Sequence, residues 1–310
     1  MDNLMHLSVS PHIHSGRSTA AIMRDVIIAL LPTAIAGAVI FGLRSLLVIA
    51  VTVASAVLFE ALFNIITKKQ QTIGDFSAGV TGLLLALNLP AGIPIWQCVV
   101  GSAFAILLVK CIFGGIGCNL VNPAITARVF MLVAFGSMTV QSFPKIVDTA
   151  SSATPLAQMA EDGAAPALKD LLLGTTGGAI GETCAIALLL GFVYLLIRRV
   201  ITWHIPVAFI GSVFVLSFLM EGFDVMRALA LVLSGGLLIG AIFMATDYVT
   251  SPPTAAGKII FGIGAGLMTF LIRYFGVYPE GVSFAILFMN ILNPYIEKLT
   301  AHKVFGGKRA

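Results

Sequence analysis

Charge is what this chain has least of. Lysine, arginine, aspartate and glutamate make up 10% of its 310 residues, against about 25% in an ordinary soluble domain. Apolar residues take 58%, and the mean hydropathy is +1.03. So few ionic groups cannot cover a water-exposed surface of that size, which removes the two soluble domains that length alone would suggest. The same apolar content excludes a disordered chain. It also excludes a small disulfide scaffold, and the four cysteines, Cys98, Cys111, Cys118 and Cys184, form no CxxC pair, so buried, inert thiols are expected. Cys111 or Cys118 could ligate an iron–sulfur cluster only if a partner supplied the missing thiolates. The basic residues behind the net charge of +4 are scattered singly, without the stripe that nucleic acid requires. No basic segment with a short apolar core and cleavage site opens the chain, so the N-terminus is expected to stay cytoplasmic.

What is present is a series of apolar runs, and the chain reads as an all-α polytopic membrane protein of about ten transmembrane helices. The spans are expected near 24–42, 45–66, 76–89, 94–113, 123–140, 178–197, 201–220, 225–245, 256–275 and 281–296. The third is short and ends at Asn88-Leu89-Pro90, as a broken or tilted helix would. With the N-terminus inside, twelve basic residues fall on the cytoplasmic side and five outside, with Arg128 left within a span. The positive-inside rule therefore puts both termini in the cytoplasm. Ser77-Ala78-Gly79 and Ser234-Gly235-Gly236 open similar runs in the third and eighth spans. An odd offset of five would invert the second copy, giving two inverted five-helix repeats with broken helices, a recurrent transport architecture; close packing of Ser/Gly-rich helices is the plainer alternative. The resulting division is a tail at 1–23, a first half at 24–140, an outward loop at 141–177, a second half at 178–297 and a tail at 298–310.

The loop at 141–177 is the longest polar stretch and holds Asp148, Glu161, Asp162 and Asp170. Connections of this length are usually functional. Thr154 before Pro155 reads as an N-cap followed by proline at the first helical position. A helix start favours a phosphate, and Ser151, Ser152 and Ala153 are small enough to let another molecule approach the Thr154 hydroxyl. A capped surface helix without a ligand is the plainer alternative.

The run Asp148-Thr149-Ala150-Ser151-Ser152-Ala153-Thr154 resembles the pattern at which a flavin transferase attaches FMN to threonine through a phosphoester. Residues Phe113 to Ala124, Gly178 to Thr183, Phe243 to Pro252 and Tyr278 to Ala285 resemble signatures of one family. Its members are the RnfD component of the Rnf complex and the NqrB component of the sodium-translocating NADH:quinone reductase. Tyr248 departs from the pattern, standing where the family often has proline. The resemblance covers nearly the whole chain, and the length is similar to that of the Rnf component.

The resemblance implies a redox subunit, in the inner (cytoplasmic) membrane of a bacterial cell, of a complex that couples electron transfer between ferredoxin and NAD to Na⁺ or H⁺ translocation. FMN would be covalently held on Thr154, with Asp148, Ser151, Ser152 and Ala153 as the attachment motif on the outer side. A second, noncovalent flavin such as riboflavin is implied without ligands, and the polar breaks at Asn119–Asn122 and Thr246–Ser251 are where a membrane cavity is expected. NAD, ferredoxin and iron–sulfur clusters would be handled by partner subunits, and a flavin transferase is needed for maturation. No catalytic residue and no metal ligand is assigned. Glu60, Glu182 and Asp247 are ion-path candidates, because intramembrane acids are costly and usually functional. Lys110 and Arg128 would snorkel or pair with a carboxylate. The alternatives are a small-solute channel or secondary transporter, and a structural anchor for redox partners.

Overall fold

The computed structural model describes residues 18–138, 154–161, 166–276 and 281–301. Among them the secondary structure is helical and includes no β-strand. The helices are α1 (Thr19–Phe41), α2 (Leu43–Ile66), α3 (Ser77–Leu87), α4 (Ile95–Ala103), α5 (Pro123–Ala134), α6 (Pro155–Glu161), α7 (Leu168–Leu173), α8 (Ala185–Ile197), α9 (His204–Met220), α10 (Val225–Leu233), α11 (Leu237–Ile239), α12 (Ala255–Phe275) and α13 (Val282–Thr300). Two continue as π-helix, α4 through Phe104–Cys111 and α11 through Gly240–Met244. Stretches of π-helix are uncommon and concentrate at functional sites.

Every expected span contains helix, but many of the helices are short. Among the described residues three helices, α1, α2 and α12, are long and apolar enough to cross a membrane, and α10 with α11 and its π-helical continuation, bent by 66°, would make a fourth. Helix α3 has 11 residues, which at 1.5 Å each reach roughly half of a ~30 Å hydrocarbon core. Outward faces are apolar: Val39 is 76% and Ile197 75% exposed, as a lipid or protein neighbour would require.

The sixth span differs from expectation. Helix α8 starts at Ala185 rather than near 178, and the preceding residues run across the end of α3 without helical structure. The amides of Ile180 and Gly181 donate to the carbonyls of Leu89 and Leu87 at 3.1 and 2.7 Å. They thereby satisfy acceptors that a helix ending inside the protein leaves orphaned. Glycine is required there, because a β-carbon at Gly181 would stand 2.5 Å from that of Leu87. On the other side of the same turn, Arg44 donates to the carbonyls of Ala91, Gly92 and Ile93 at 3.1–3.2 Å. The fifth span also differs, its helix stopping at Ala134.

Packing joins segments separated by the offset of five. Helix α1 lies on α8 and α5 on α13, while the Asn88 amide at the end of α3 meets the Met244 sulfur at 3.6 Å. Within each half, α2 packs on α4 and α9 on α12. Asp25 of α1 holds Arg198 at 3.2 Å and accepts from the Tyr194 hydroxyl at 3.1 Å, fixing α1 to α8.

A second polar lock joins α2, α3 and the π-helical end of α4. Glu60 and Lys110 pair at 2.8 Å with 4% of each side chain exposed. Lys110 also donates to the Ser77 hydroxyl at 2.6 Å, and the Thr72 hydroxyl donates to Glu60 at 2.6 Å. Ser77 in turn donates, through both N–H and O–H, to Asp75. A buried pair is costly to break on one side only, because the remaining charge is stranded. Lys110→Met is therefore expected to destabilise the protein by about 3–5 kcal/mol. The double variant Lys110→Met/Glu60→Gln should recover most of that loss in thermal unfolding of the detergent-solubilised protein.

Candidate functional site

The structure separates the described site residues named from the sequence into four places: Glu60 in the lock with Lys110, and three others. Thr154 caps α6. Its carbonyl accepts the Gln158 amide at 2.8 Å and its Oγ1 accepts the Ala157 amide at 3.3 Å. The cap and the proline at the first helical position are thus as expected. Asp148, Ser151, Ser152 and Ala153 lie outside the described residues. Helix α6 has seven residues, so its dipole adds little, and the threonine hydroxyl is its chemically useful group. The helix is held by its apolar face: Leu156 and Met159 are buried against Leu171, Ala230 and Leu231. Arg227, paired with Glu221 at 2.6 Å, reaches the Met159 carbonyl at 3.5 Å.

Beneath α6 lies the break between α10 and α11. Gly235 has φ +66°, a left-handed conformation that glycine adopts without strain. The carbonyls exposed by the break are met by Arg273, whose guanidinium donates to Leu231 at 2.7 Å and Ser234 at 3.1 Å. Adjoining the break is the second acidic candidate. Glu182 accepts the Ala179 amide at 2.8 Å and stands 3.9 Å from Arg128, whose other nitrogen donates to the Asn88 carboxamide oxygen at 2.6 Å. Asn88 donates back to Leu84 at 2.7 Å. Arg128 therefore joins the ends of two broken elements, α3 and the 178–183 segment, in a site where both ionic side chains are under a tenth exposed.

The third place is a cavity of about 120 Å³. Its polar wall comes from Asn119, Asn122, Thr246 and Asp247, and its apolar floor includes Val26, Leu84, Leu195 and Phe243. The two polar breaks named from sequence do line one space. Asn122 caps α5, accepting the Ala124 and Ile125 amides at 3.0 and 3.3 Å, with Pro123 in the first helical position. Its amide nitrogen donates to the Met244 carbonyl at 3.3 Å, tying α5 to the π-helical end of α11. Asn290 of α13 completes the tie, accepting the Asn122 amide at 3.1 Å and donating to the Thr250 carbonyl at 3.2 Å. Asp247 lies beyond the π-helix, in the connector to α12. Its carboxylate accepts the Val249 amide at 3.5 Å and the Thr250 hydroxyl at 3.2 Å.

Glu60, Glu182 and Asp247 are thus not one cluster: the first two are each bound to a cation and the third lines the cavity. Arg273 and Asn290, with Asn88, carry much of the polar architecture, and the first two were not singled out from sequence. An asparagine just before a proline bend was the one visible signal, at Asn88-Leu89-Pro90. Cys111 is buried and Cys118 exposed.

The chain matches the model of the NQR2, RnfD, RnfE family over residues 6–306. It is 45% identical over 305 residues to the D subunit of the Na(+)-translocating ferredoxin:NAD(+) oxidoreductase complex of Acetobacterium woodii, covering 97% of this chain and 95% of that protein. Identity is 40% to the D subunit of the proton-translocating ferredoxin:NAD(+) oxidoreductase complex of Clostridium ljungdahlii, covering 99% and 98%. It is 37% to the D subunit of an ion-translocating oxidoreductase complex of Stutzerimonas stutzeri, covering 93% and 92%. With a full-length family match and relatives this similar from end to end, the chain belongs to the NQR2, RnfD, RnfE family.

Proposed function

We propose that this chain is the RnfD component of an Rnf-type, ion-translocating ferredoxin:NAD oxidoreductase complex, and that it carries FMN through a phosphoester on Thr154. End-to-end similarity to two proteins named as D subunits of ferredoxin:NAD(+) oxidoreductase complexes, and to a third named as that of an ion-translocating oxidoreductase complex, supports the first part. The observation that carries the second is the position of Thr154: its hydroxyl ends the Ser-Ser-Ala-Thr run and sits half-buried at the start of a helix pinned to the membrane helices. A tether needs that combination, because the oxygen must be reachable by a transferase and then held still. Bound there, the flavin would supply the redox chemistry. This chain's residues supply position: Thr154 fixes one end, Leu156 and Met159 anchor the helix, and Arg227 holds its far end.

Maturation would need a flavin transferase, and ferredoxin, NAD and iron–sulfur clusters belong to partner subunits. We place the complex in the bacterial inner membrane with both termini cytoplasmic and the Thr154 loop outside, as the twelve-to-five distribution of basic residues favours. The domain division follows, with an outward loop joining two five-helix halves. We assign the second, noncovalent flavin to the cavity at the α3–α5–α11 junction, which would have to widen from about 120 Å³ to admit it. Carboxamides at one wall and an aliphatic floor suit a planar ring with a polar edge. Glu60, Glu182 and Asp247 are the acidic groups through which an ion path would run. A solute-carrier reading draws on the bent α10–α11 pair and the same cavity, but gives Thr154 no role.

Two outcomes test this. Thr154→Asn keeps an N-cap but removes the hydroxyl, so complex purified from its own host should lose the flavin-fluorescent band of this chain in a denaturing gel. A persisting band would put the tether elsewhere. Thr81→Phe, which fills the cavity from α3, should lower acid-extractable flavin several-fold and leave that band unchanged. Undiminished extractable flavin would exclude the cavity as the second site.

A further inference from the structure

The Thr154 helix and the Arg128–Glu182 pair lie on either side of two adjacent glycines. A β-carbon at Gly235 would stand 2.7 Å from Leu156 Cδ1 and 3.3 Å from Arg273 Nη2. A β-carbon at Gly236 would stand 3.1 Å from Arg128 Nη1 and 3.4 Å from Glu182 Oε2. The first glycine thus yields its side-chain volume to α6, the second to the buried pair.

We infer that the Ser234-Gly235-Gly236 break is a two-sided seat, in which Leu156 on one face and the Arg128–Glu182 pair on the other position each other through two consecutive residues of backbone. The break suits this role because its geometry has few alternatives. Gly235 is in the left-handed region, Arg273 grips the Leu231 and Ser234 carbonyls, and the Ser234 hydroxyl donates to the Ala230 carbonyl at 2.5 Å. Beyond it, the Gly240 amide donates to the Gly236 carbonyl at 2.9 Å, so a shift at Gly236 is passed into the π-helical turn. On the pair's side, Glu182 holds the Ala179 amide, in a segment whose neighbouring amides cap α3. Packed interiors transmit such displacements because they have no slack. Leu156, Gly235 and Gly236 are therefore positioning residues, linking the tether to the buried acid–base pair.

The functional sense of this link rests on the reading of Thr154 as the tether, whereas the link itself can be measured without flavin. Hydrogen–deuterium exchange on the intact complex reads it directly, since the Ala179 amide reports on Glu182 and the amides of 237–244 report on the break. Leu156→Ala empties one side of the seat. It should raise exchange about tenfold at Ala179 and across 237–244, with Leu156→Met restoring wild-type rates. Gly235→Ala, which displaces Leu156, should give the same pattern. An increase confined to 154–161 would overturn the inference. Thr154→Asn keeps Leu156 and the cap, so its exchange at Ala179 should match wild type while its gel band disappears. A band that persisted would reject the tether and leave the exchange test of the seat standing.

Discussion

A helix that stops inside an apolar interior leaves carbonyls without hydrogens, and lipid offers none in return. Most of the polar architecture here answers that constraint. Helix α3 ends after 11 residues, and its last carbonyl, at Leu87, and that of Leu89 just beyond it are met by two amides from 178–183. Helix α10 ends at a glycine break, and its last acceptors are met by Arg273. Helix α5 starts inside, and Asn122 caps it. The first two solutions bring a distant stretch of chain to a fixed place, so the ends of the short helices help set where α8 and α12 lie. The cavity and the Arg128–Glu182 pair occupy the space between those ends.

Much of this was legible in the sequence. Each apolar run contains helix, because hydropathy is a strong signal over twenty residues. The two short or broken spans announced themselves through Asn88-Leu89-Pro90 and Ser234-Gly235-Gly236, and the polar breaks at 119–122 and 246–251 marked the cavity. The error at 178–184 has a physical cause: its small and apolar residues continue the hydropathy of α8, while their backbone is committed to α3. Nothing in a hydropathy profile distinguishes an amide used within its own helix from one donated elsewhere.

Partners were harder to read than elements. Glu60, Glu182, Lys110 and Arg128 stood out as intramembrane charges, but the pairing of Glu60 with Lys110 and of Glu182 with Arg128 depends on contacts more than 45 residues apart. Thr154-Pro155 gave the cap of α6 from adjacent residues alone. What the helix sits on, Gly235 and the α10 surface, lies some 80 residues onward and has no local signature.

The two buried ion pairs also carry a consequence for biogenesis. Glu60 leaves the ribosome 50 residues ahead of Lys110, several seconds at about 5–20 residues per second. In the second pair the order is reversed, with the guanidinium made first and its acid later. Nascent α2 therefore enters the bilayer, or waits beside the insertion machinery, with an uncompensated carboxyl group, and α5 with an uncompensated cation. Helices delivered in that state cannot be released one by one to lipid without penalty, so the folding route of this chain favours holding early segments together until their counter-charges are synthesised.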